Sequence, residues 1–222
     1  MVGKEEQVPK LVVRGFAVSM DGYSAGPNQR LEEPFGDGAM RIMNWFKPTK
    51  TYCAMVGLSG GEVGLDNDFA AKADDNIGAT IMGRHMFGPD RGPWDRNWRG
   101  WWGDNPPYHH PVFVLCHQDR ESFALQGGTD FTFVTNGIEA ALHQAFVAAK
   151  GKDVRIGGGP DTVRQYLKAG LIDELHLVQV PFLLGHGEPL FQGLDGVEDR
   201  YECVEFQASK AASHLKIVRK GS

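Results

Sequence analysis

Three consecutive glycines followed by a proline suggest an anion-binding turn. They lie between an apolar stretch and a segment of helical composition, with the proline at the first helical position. Glycines without Cβ let backbone N–H groups approach an anion, and a helix N-terminus adds partial positive charge. The turn is therefore predicted to hold phosphate, although a bare triple glycine more often forms a tight turn without a ligand. Its residues are Gly157, Gly158, Gly159, Pro160, Asp161 and Thr162.

A second candidate phosphate site follows the apolar stretch 79–82. Gly83, Arg84 and His85 come directly after it. The guanidinium of Arg84 is planar and permanently charged, which suits a phosphate, and His85 can add another donor. Alone, two such basic residues are more often solvated charges in a surface loop. Two candidate phosphate turns, each after a predicted strand, are more informative than either one.

Three polar residues could contact a substrate. Asp21 belongs to an Asp-Gly pair, and turn formation accounts for that pair better than a substrate does. Asp68 lies near the start of a predicted helix, where it is either a proton donor or an N-cap. Tyr23 could donate a hydrogen bond to a substrate or cover the edge of the core. No single catalytic residue is predicted.

The composition argues against several other functions. The formal net charge is -5 and no basic cluster occurs, so a nucleic-acid footprint is missing. The longest apolar runs, such as 178–184, are strand-sized, so no membrane span is predicted. Residues 1–10 are polar and contain no apolar signal core, which favours the cytoplasm.

The cysteines and histidines do not form a recognisable metal pattern. Cys53, Cys116 and Cys203 lie far apart without a CxxC pair, so free thiols are expected. No His–acid arrangement activates Cys116, which is interpreted as a buried thiol at a strand end. His109 and His110 lie in a proline-rich loop without matching ligands, and no metal site is predicted.

Strand-like and helix-like segments alternate along the chain. This alternation, closed by a hairpin, predicts an α/β fold with a mostly parallel central sheet, helices on both faces and an antiparallel C-terminal hairpin. On the helix 138–150, Leu142, Phe146 and Val147 are expected on one side. The predicted strands are 11–20, 79–82, 111–116, 131–134, 153–156, 173–184, 201–209 and 213–219, and the predicted helices are 66–78, 138–150 and 160–168, with helical spacing also in 38–46.

Residues 88–110 form a long irregular stretch that is rich in tryptophan. Loops of this length are usually functional covers, interface elements or insertions. Trp94, Trp98, Trp101 and Trp102 could stack on a ring substrate or pack at a dimer contact. An ordinary satellite hydrophobic cluster explains them equally well.

The order of these motifs resembles dihydrofolate reductase and, more strongly, the reductase domain of the riboflavin-biosynthesis deaminase–reductases. The resemblance rests on residues 81–85, 111–116 and 156–159 for the former. For the latter it rests on the turn 19–22 and on 159–185, and it covers residues 11–219 in all. It implies a dihydrofolate reductase-like fold, with residues 1–10 as an N-terminal tail and 11–222 as a single domain.

The resemblance also implies NADPH as cofactor and a homodimer as the assembly. Arg84 and His85 would then lie near the adenosine 2′-phosphate and pyrophosphate, and the glycine turn near the pyrophosphate and nicotinamide. Ala17 and the segment 23–25 would border the nicotinamide. Leu115, Cys116 and His117 would lie beside the adenine and its ribose. The candidates for the substrate pocket are Ser19, Asp21, Tyr23 and Asp68.

Three departures from these families bear on the substrate. Asn67 stands near the helix position where dihydrofolate reductases carry an acid, flanked by Asp66 and Asp68. Riboflavin-pathway reductases usually carry a basic residue where this chain has Tyr23, and a glutamate where it has Ile156. The zinc deaminase motif that accompanies them is absent from the sequence. Neither the dihydrofolate reductase reaction nor the riboflavin-pathway reduction is therefore assigned to this chain.

The function expected from the sequence is that of an NADPH-dependent reductase. It would transfer a hydride to a small C=N, C=O or C=C substrate, with Asp68, Tyr23 or a water as proton donor. One alternative is a nucleotide-binding protein with little turnover. Another is a flavin-utilising variant of the fold.

Overall fold

The computed structural model describes residues 8–221, which are built around one large sheet. Its strands are β1 (Leu11–Ser19), β3 (Ile77–Gly83), β4 (Pro111–Leu115), β5 (Phe123–Ala124), β6 (Asp130–Val134), β7 (Asp153–Gly158), β8 (Glu174–Val180), β10 (Tyr201–Ala208) and β11 (Ser213–Arg219). Their spatial order is β10-β11-β8-β1-β7-β3-β4-β6-β5. A separate two-stranded sheet pairs β2 (Tyr23–Ala25) with β9 (Glu188–Pro189).

The helices are short apart from two. They are α1 (Lys50–Met55), α2 (Leu65–Ala71), α3 (Arg84–Phe87), α4 (Gly137–Ala149) and α5 (Pro160–Lys168), with 3₁₀ segments at Ala39–Trp45 and Gln126–Gly128. The six strands from β8 to β6 in the sheet order are mutually parallel. The remaining strands of the large sheet, β5, β10 and β11, are antiparallel to their neighbours. This arrangement confirms the predicted α/β fold with a C-terminal hairpin.

One face of the sheet forms the main core, under α4 and α5. Val13, Ile81 and Ile156 from adjacent strands pack there with Tyr166 and Leu167 of α5. The buried residues of α4 are all alanines, Ala141, Ala145 and Ala149. These small side chains let the helix lie close to the strands.

The opposite face is covered in two separate halves. The 3₁₀ helix Ala39–Trp45 and α2 cover the half that includes β1 and β8, where Ala17 and Val178 pack with Trp45. The segment 88–110, together with α3, covers the other half, where Phe87 packs with Val114. Between the halves lies β7, which carries Gly157. In open α/β sheets, ligands bind in the crevice at the carboxyl ends of the strands on either side of such a division.

Several predicted boundaries were wrong. The helix expected over 66–78 ends at Ala71, because Asn76 adopts a left-handed φ of 59° and Ile77 is buried in β3 opposite Asp153. The strand expected over 173–184 ends at Val180. Val147, expected on the core side of its helix, is 68% exposed, because the alanines face the sheet.

The structure also differs from the prediction in the length of one strand and in several short elements. The strand predicted over 153–156 includes two of the glycines, up to Gly158. The short elements α1, α3, β2, β5 and β9 were not predicted. Most of the expected tail 1–10 lies outside the described residues, and Lys10 already bonds the sheet through Asp153. Within residues 8–221, no helix is both long and apolar enough to cross a membrane.

Candidate functional site

The two predicted phosphate turns lie against each other. β3 and β7 are neighbours, with Met82 opposite Gly158, so both strands end at the same edge of the sheet. A Cβ on Gly159 would lie 3.9 Å from the Cα and N of Gly83, and a Cβ on Gly83 would lie 2.5 Å from Oγ1 of Thr162. Position 83 therefore has no room for a side chain unless Thr162 moves. The glycines bring the two turns into backbone contact.

Helix α5 directs its N-terminus at this junction. Gly159 is the N-cap, with a φ of 86°, and has no side chain that could cap the free amides. Pro160 occupies the first turn, as predicted. The carboxylate of Asp161 binds Arg164 at 3.0 Å and Gln165 at 2.8 Å, further along the helix. The first amides of a nine-residue helix remain available to an anion.

Gly158 is also required by its surroundings. Its φ of 156° falls in a region that favours glycine, and a Cβ there would lie 3.0 Å from Sδ of Met86. Gly157 has an ordinary φ, but its Cβ would lie 3.0 Å from Cγ2 of Thr80. The three glycines thus allow α3, β3 and α5 to approach closely. A phosphate placed at this edge would meet backbone rather than side chains.

Arg84 begins α3 beside the junction. Its guanidinium stacks on the Trp94 ring at 4.0 Å, and it donates to the carbonyl of Gly92 and to Oε1 of Gln118 at 3.4 Å. Nε of Arg84 is buried and has no hydrogen-bond partner among the described residues. The partners of the guanidinium are an indole, a carbonyl and an amide, none of which carries a charge. His85 is exposed.

The carboxyl end of β4 lies next to this site. Leu115 is opposite Gly83 in the parallel pair β3–β4. Cys116 donates its backbone N–H to the carbonyl of Val134 at 3.1 Å, and burial raises the pKa of its thiol. A buried thiol with a raised pKa is a poor nucleophile, which agrees with its interpretation as a structural cysteine. His117 is exposed.

Asp21 ties together the turns that follow β1 and β8. Its carboxylate accepts hydrogen bonds from Ser19 Oγ at 2.5 Å and from the amides of Leu184 at 3.0 Å and Gly185 at 2.7 Å. These bonds, led by that from Ser19, lower the pKa of Asp21 to about 2. Ser19 is fully buried and also accepts from the amide of Tyr23 at 3.1 Å. We call this arrangement the Asp21 latch. Its hydrogen bonds give Asp21 a structural role in holding the two turns together, as its position in an Asp-Gly turn predicted.

The two acids that flank Asn67 have different environments. Asp68 is exposed and lies within the first turn of α2, whose N-cap is Gly64, so Asp68 does not cap the helix. Asp66 points at the sheet, and its Oδ1 accepts from Nε2 of His214 at 2.7 Å. Oδ1 of Asn67 accepts from the backbone N and Oγ1 of Thr51, which fixes α2 against α1.

Two histidines continue inward from Asp66. The amide of Gly15 donates to Nδ1 of His176 at 3.1 Å, so the proton of a neutral His176 lies on Nε2. That Nε2 donates to Nδ1 of His214 at 3.0 Å, which places the proton of His214 on Nε2, facing Asp66. Burial lowers the pKa of His176 to about 3, so its ring is neutral near pH 7. One backbone amide thereby fixes both tautomers.

Aromatic packing holds this histidine pair in place. Phe69 stacks on His176 and His214 with ring centroids 4.5 and 4.3 Å away, and Trp45 meets His214 edge-on at 5.4 Å. A cavity of about 70 Å³ opens beside Asp66. Its lining includes Trp45, Glu62, Asp66, Asn67 and Ala211.

Sequence reasoning missed His176, His214 and the role of Asp66. A histidine in each of two apolar strands was the available signal, with His176 in β8 and His214 in β11. Only the antiparallel pairing of those strands brings the rings together. Within residues 8–221, no three His, Cys, Asp or Glu side chains are grouped as a metal site would require.

Comparison with known proteins identifies the family and the fold of this chain. Residues 10–215 match the model of the RibD C-terminal domain family. An uncharacterized protein of Bacillus subtilis (strain 168), YwjB, is 32% identical over 90 residues, which are 38% of this chain and 50% of that protein. The chain therefore matches half the length of that curated relative.

Three solved structures share the fold at low sequence identity. A putative riboflavin biosynthesis protein from Shewanella sp. PV-4 has a TM-score of 0.56 at 21% identity, over 96% of this chain and 99% of that one. Dihydrofolate reductase from Enterococcus faecalis, complexed with NADP(H) and RAB-propyl, has a TM-score of 0.53 at 14% identity, over 96% and 97%.

The third is a deaminase/reductase from Thermotoga maritima, named for diaminohydroxyphosphoribosylaminopyrimidine and 5-amino-6-(5-phosphoribosylamino)uracil. Its TM-score is 0.54 at 12% identity, over 96% of this chain and 57% of that one. The sheet order, the paired glycine turns and the match over residues 10–215 lead to one conclusion. The chain belongs to the RibD C-terminal domain family and has a dihydrofolate reductase-like fold.

Proposed function

We propose that this protein is an NADPH-dependent reductase that transfers a hydride to a small C=N, C=O or C=C substrate. One observation carries the proposal. The backbone junction of Gly83 with Gly159, the free N-terminus of α5 and the guanidinium of Arg84 all lie at the carboxyl edge of β3 and β7. A dinucleotide needs such a combination of amides and fixed positive charge.

In this proposal, NADPH occupies the crevice between the two covering halves of the sheet. Arg84 and His85 bind the 2′-phosphate and pyrophosphate, and the glycine turn with the first amides of α5 binds the pyrophosphate. The adenine and its ribose contact Leu115, Cys116 and His117, of which His117 is exposed. Gly157, which has no side chain, would border the nicotinamide side of the dinucleotide.

The substrate is placed in the cavity beside Asp66. Ala17, which borders the nicotinamide in this proposal, packs on the same apolar cluster as Trp45 and Ala211 of the cavity wall. Across the sheet, Ala17 is opposite Val178, and Val178 is opposite His214. Strands lie about 4.8 Å apart, so Ala17 and His214 are about 10 Å apart between Cα atoms. In this proposal the substrate lies between the nicotinamide, which would border Ala17, and the carboxylate next to His214.

The bound cofactor supplies the hydride from its C4 position. The chain contributes by holding the two reactants together, which removes much of the entropic barrier. In this proposal Asp66 carries a proton on Oδ2, which has no hydrogen-bond partner among the described residues, while Oδ1 accepts from His214. Oδ2 donates that proton to the substrate, directly or through a water, and Asp66 regains a proton from solvent. Asp66 takes this role in place of Asp68, whose side chain is exposed.

The decisive experiment combines binding and turnover. Titration with NADPH, NADH and flavins should give saturable binding that is tightest for NADPH. NADPH oxidation is then followed against a panel of imines, quinones and pterins. Binding without any substrate-dependent oxidation would favour the alternative of a nucleotide-binding protein with little turnover. No binding of either nicotinamide cofactor would refute the reductase proposal.

A further inference from the structure

A glycine bulge in β1 starts a chain of hydrogen bonds that ends at Asp66. The register of β1 on β8 shifts in this region, so that Arg14 and Gly15 both lie opposite His176. Gly15 adopts a left-handed φ of 66°, which is typical of the glycine in such a bulge. Its amide donates to Nδ1 of His176 at 3.1 Å. The first member of the chain is thus a backbone group whose role as a donor is fixed.

The direction of this chain excludes a charged His214. An imidazolium at His214 would carry protons on both nitrogens, and its Nδ1–H would face Nε2 of His176, 3.0 Å away. The proton of a neutral His176 would then have to lie on Nδ1, directly facing the N–H of Gly15. Two donors would meet there without an acceptor, in a region where both rings are buried. The amide of Gly15 therefore keeps His214 neutral.

Asp66 accepts its hydrogen bond from this neutral ring. Nε2 of His214 donates to Oδ1 of Asp66 at 2.7 Å, so both nitrogens of the ring are in use. The ring cannot pass this proton on, because a replacement would have to come through His176 from the amide of Gly15. An imidazolium in the same place would favour the ionised carboxylate, whereas a neutral donor adds no charge. Oδ1 therefore stays an acceptor, and Oδ2 is the oxygen that remains for a proton.

The elements around His214 hold its ring in this orientation. Phe69 follows Asp66 by three residues in α2 and stacks on His214, with an interplanar angle of 7° and ring centroids 4.3 Å apart. Trp45 meets the same ring edge-on at 5.4 Å. Side chains three residues apart share a helix face, so α2 presents both the carboxyl group and the aromatic ring to one histidine. Packing and hydrogen bonding thus fix the same arrangement.

We propose that His214 is a positioning residue for the reduction: it occupies Oδ1 of Asp66 as a neutral donor, so that the carboxyl group presents its proton from Oδ2 to the cavity. His176 and the amide of Gly15 hold His214 in the one tautomer that can do this. This inference rests on the proposed role of Asp66 as proton donor and adds the residues that keep this acid oriented and without a charged partner.

The first experiment separates hydrogen bonding from packing by two replacements of His214. His214→Phe keeps a ring against Phe69 and removes the donor to Asp66. It should lower kcat about tenfold, the size expected for one lost hydrogen bond, with KM and NADPH affinity unchanged. His214→Gln keeps an amide N–H for Asp66 and should hold kcat within about threefold of the wild-type value.

Leu215→Ala is the matched control. Leu215 follows His214 in β11, and its side chain packs on the main core at the opposite face of the sheet. This variant should lose stability in urea unfolding and keep its kcat. If kcat falls in all three variants in proportion to the stability lost, the positioning role of His214 is overturned.

A second measurement uses the wild-type protein and needs no substrate. In protein labelled with ¹⁵N-histidine, ¹H–¹⁵N NMR spectra near pH 7 should show His176 and His214 as neutral rings protonated on Nε2. A proton on Nδ1 of His214, alone or together with one on Nε2, would overturn the inference and leave the reductase proposal intact. If the rings are as expected but no substrate of the panel is reduced, the proposed function fails and the positioning role fails with it.

Discussion

The two halves of the candidate site are built in different ways. At the proposed cofactor edge, glycines and a helix N-terminus present backbone amides, and a single guanidinium supplies charge. At the proposed substrate cavity, the proposed functional group is the carboxylate of Asp66, and two buried histidines and a backbone amide behind it determine its orientation. The first half tolerates few backbone changes. The second depends on side chains from strands that are distant in the sequence.

The largest expected effect is a loss of kcat that distinguishes Asp66 from Asp68, the two acids of α2. Asp66→Asn should lower kcat about a hundredfold, because general acid–base catalysis typically contributes that much or more, while NADPH affinity should be unchanged. Asp68→Asn is the matched control. Asp68 is exposed and lies two residues further along the same helix, and the variant should keep wild-type kinetics. Steady-state assays with the best substrate of the panel measure both. Equal losses in the two variants would remove Asp66 from the mechanism.

A somewhat smaller effect is expected at the cofactor edge. Arg84→Ala should weaken NADPH binding roughly 10- to 100-fold, from the loss of charge-assisted bonds, and NADH binding much less. At saturating NADPH, kcat should remain near the wild-type value, in contrast to Asp66→Asn. Fluorescence titration suits this test because Trp94 lies on the guanidinium. Equal losses for the two cofactors would contradict recognition of the 2′-phosphate by Arg84.

The next prediction concerns the contact between the two glycine turns. Gly83→Ala would place a Cβ 2.5 Å from Oγ1 of buried Thr162. Overpacking of this kind lowers the free energy of unfolding by about 1–3 kcal/mol, and displacement of Thr162 should also weaken NADPH binding. Urea unfolding measures the first effect. Gly92→Ala, where a Cβ would meet nothing within 4 Å, should be neutral in stability.

The last prediction is a pH dependence of stability, to which His176 of the buried pair and His110 beside Thr80 both contribute. Burial holds the pKa of His176 at about 3 and that of His110 at about 4, below the ordinary value of 6.5. The unfolded chain therefore binds more protons than the folded one as pH falls from 6.5 towards 4. Stability is fully present above that window and is lost within it, by up to about 1.4 kcal/mol per pH unit for each histidine.

His176→Phe tests this assignment. It keeps a ring against Phe69 and should reduce the slope of unfolding free energy against pH between 4 and 6.5. Arg14, Glu174, Lys216, Asp66 and His214 surround the histidine and remain in the variant. His143→Gln, on the exposed side of α4, should leave the slope unaltered. A slope that stays the same in His176→Phe would assign the acid sensitivity to other groups.

The fold and the cofactor edge could largely be predicted from the sequence because local patterns determine them. Apolar runs in strands, the triple glycine and Pro160 each specify their element within a few residues, and β3, β7 and α5 formed as expected. The predictions were wrong where tertiary contacts determine the bounds of an element or the face of a helix that is buried. Ile77 joined a strand because the sheet buries it, and small alanines rather than Val147 face the core from α4.

The substrate half could not be predicted in the same way. Nothing adjacent to Asp66 distinguishes it from Asp68 in the sequence, since both occupy the first turn of α2. The two acids differ because Asp66 alone accepts a hydrogen bond from His214, which is 148 residues away. The side-chain bonds of Asp21 were likewise unpredictable, because their partners at 184 and 185 belong to another strand end. Long-range pairing determines which polar residue faces a cavity.

The Asp21 latch has a consequence for the synthesis of the chain. It joins positions 163 and 164 residues apart, and both neighbours of β1 in the sheet, β7 and β8, lie in the last third of the sequence. A ribosome adding 5–20 residues per second needs roughly 7 to 27 seconds to cover the distance from β1 to β7. For that time, a mostly apolar strand emerges without its partners. Binding of the nascent first strand by chaperones is therefore expected to be a regular step in the maturation of this fold.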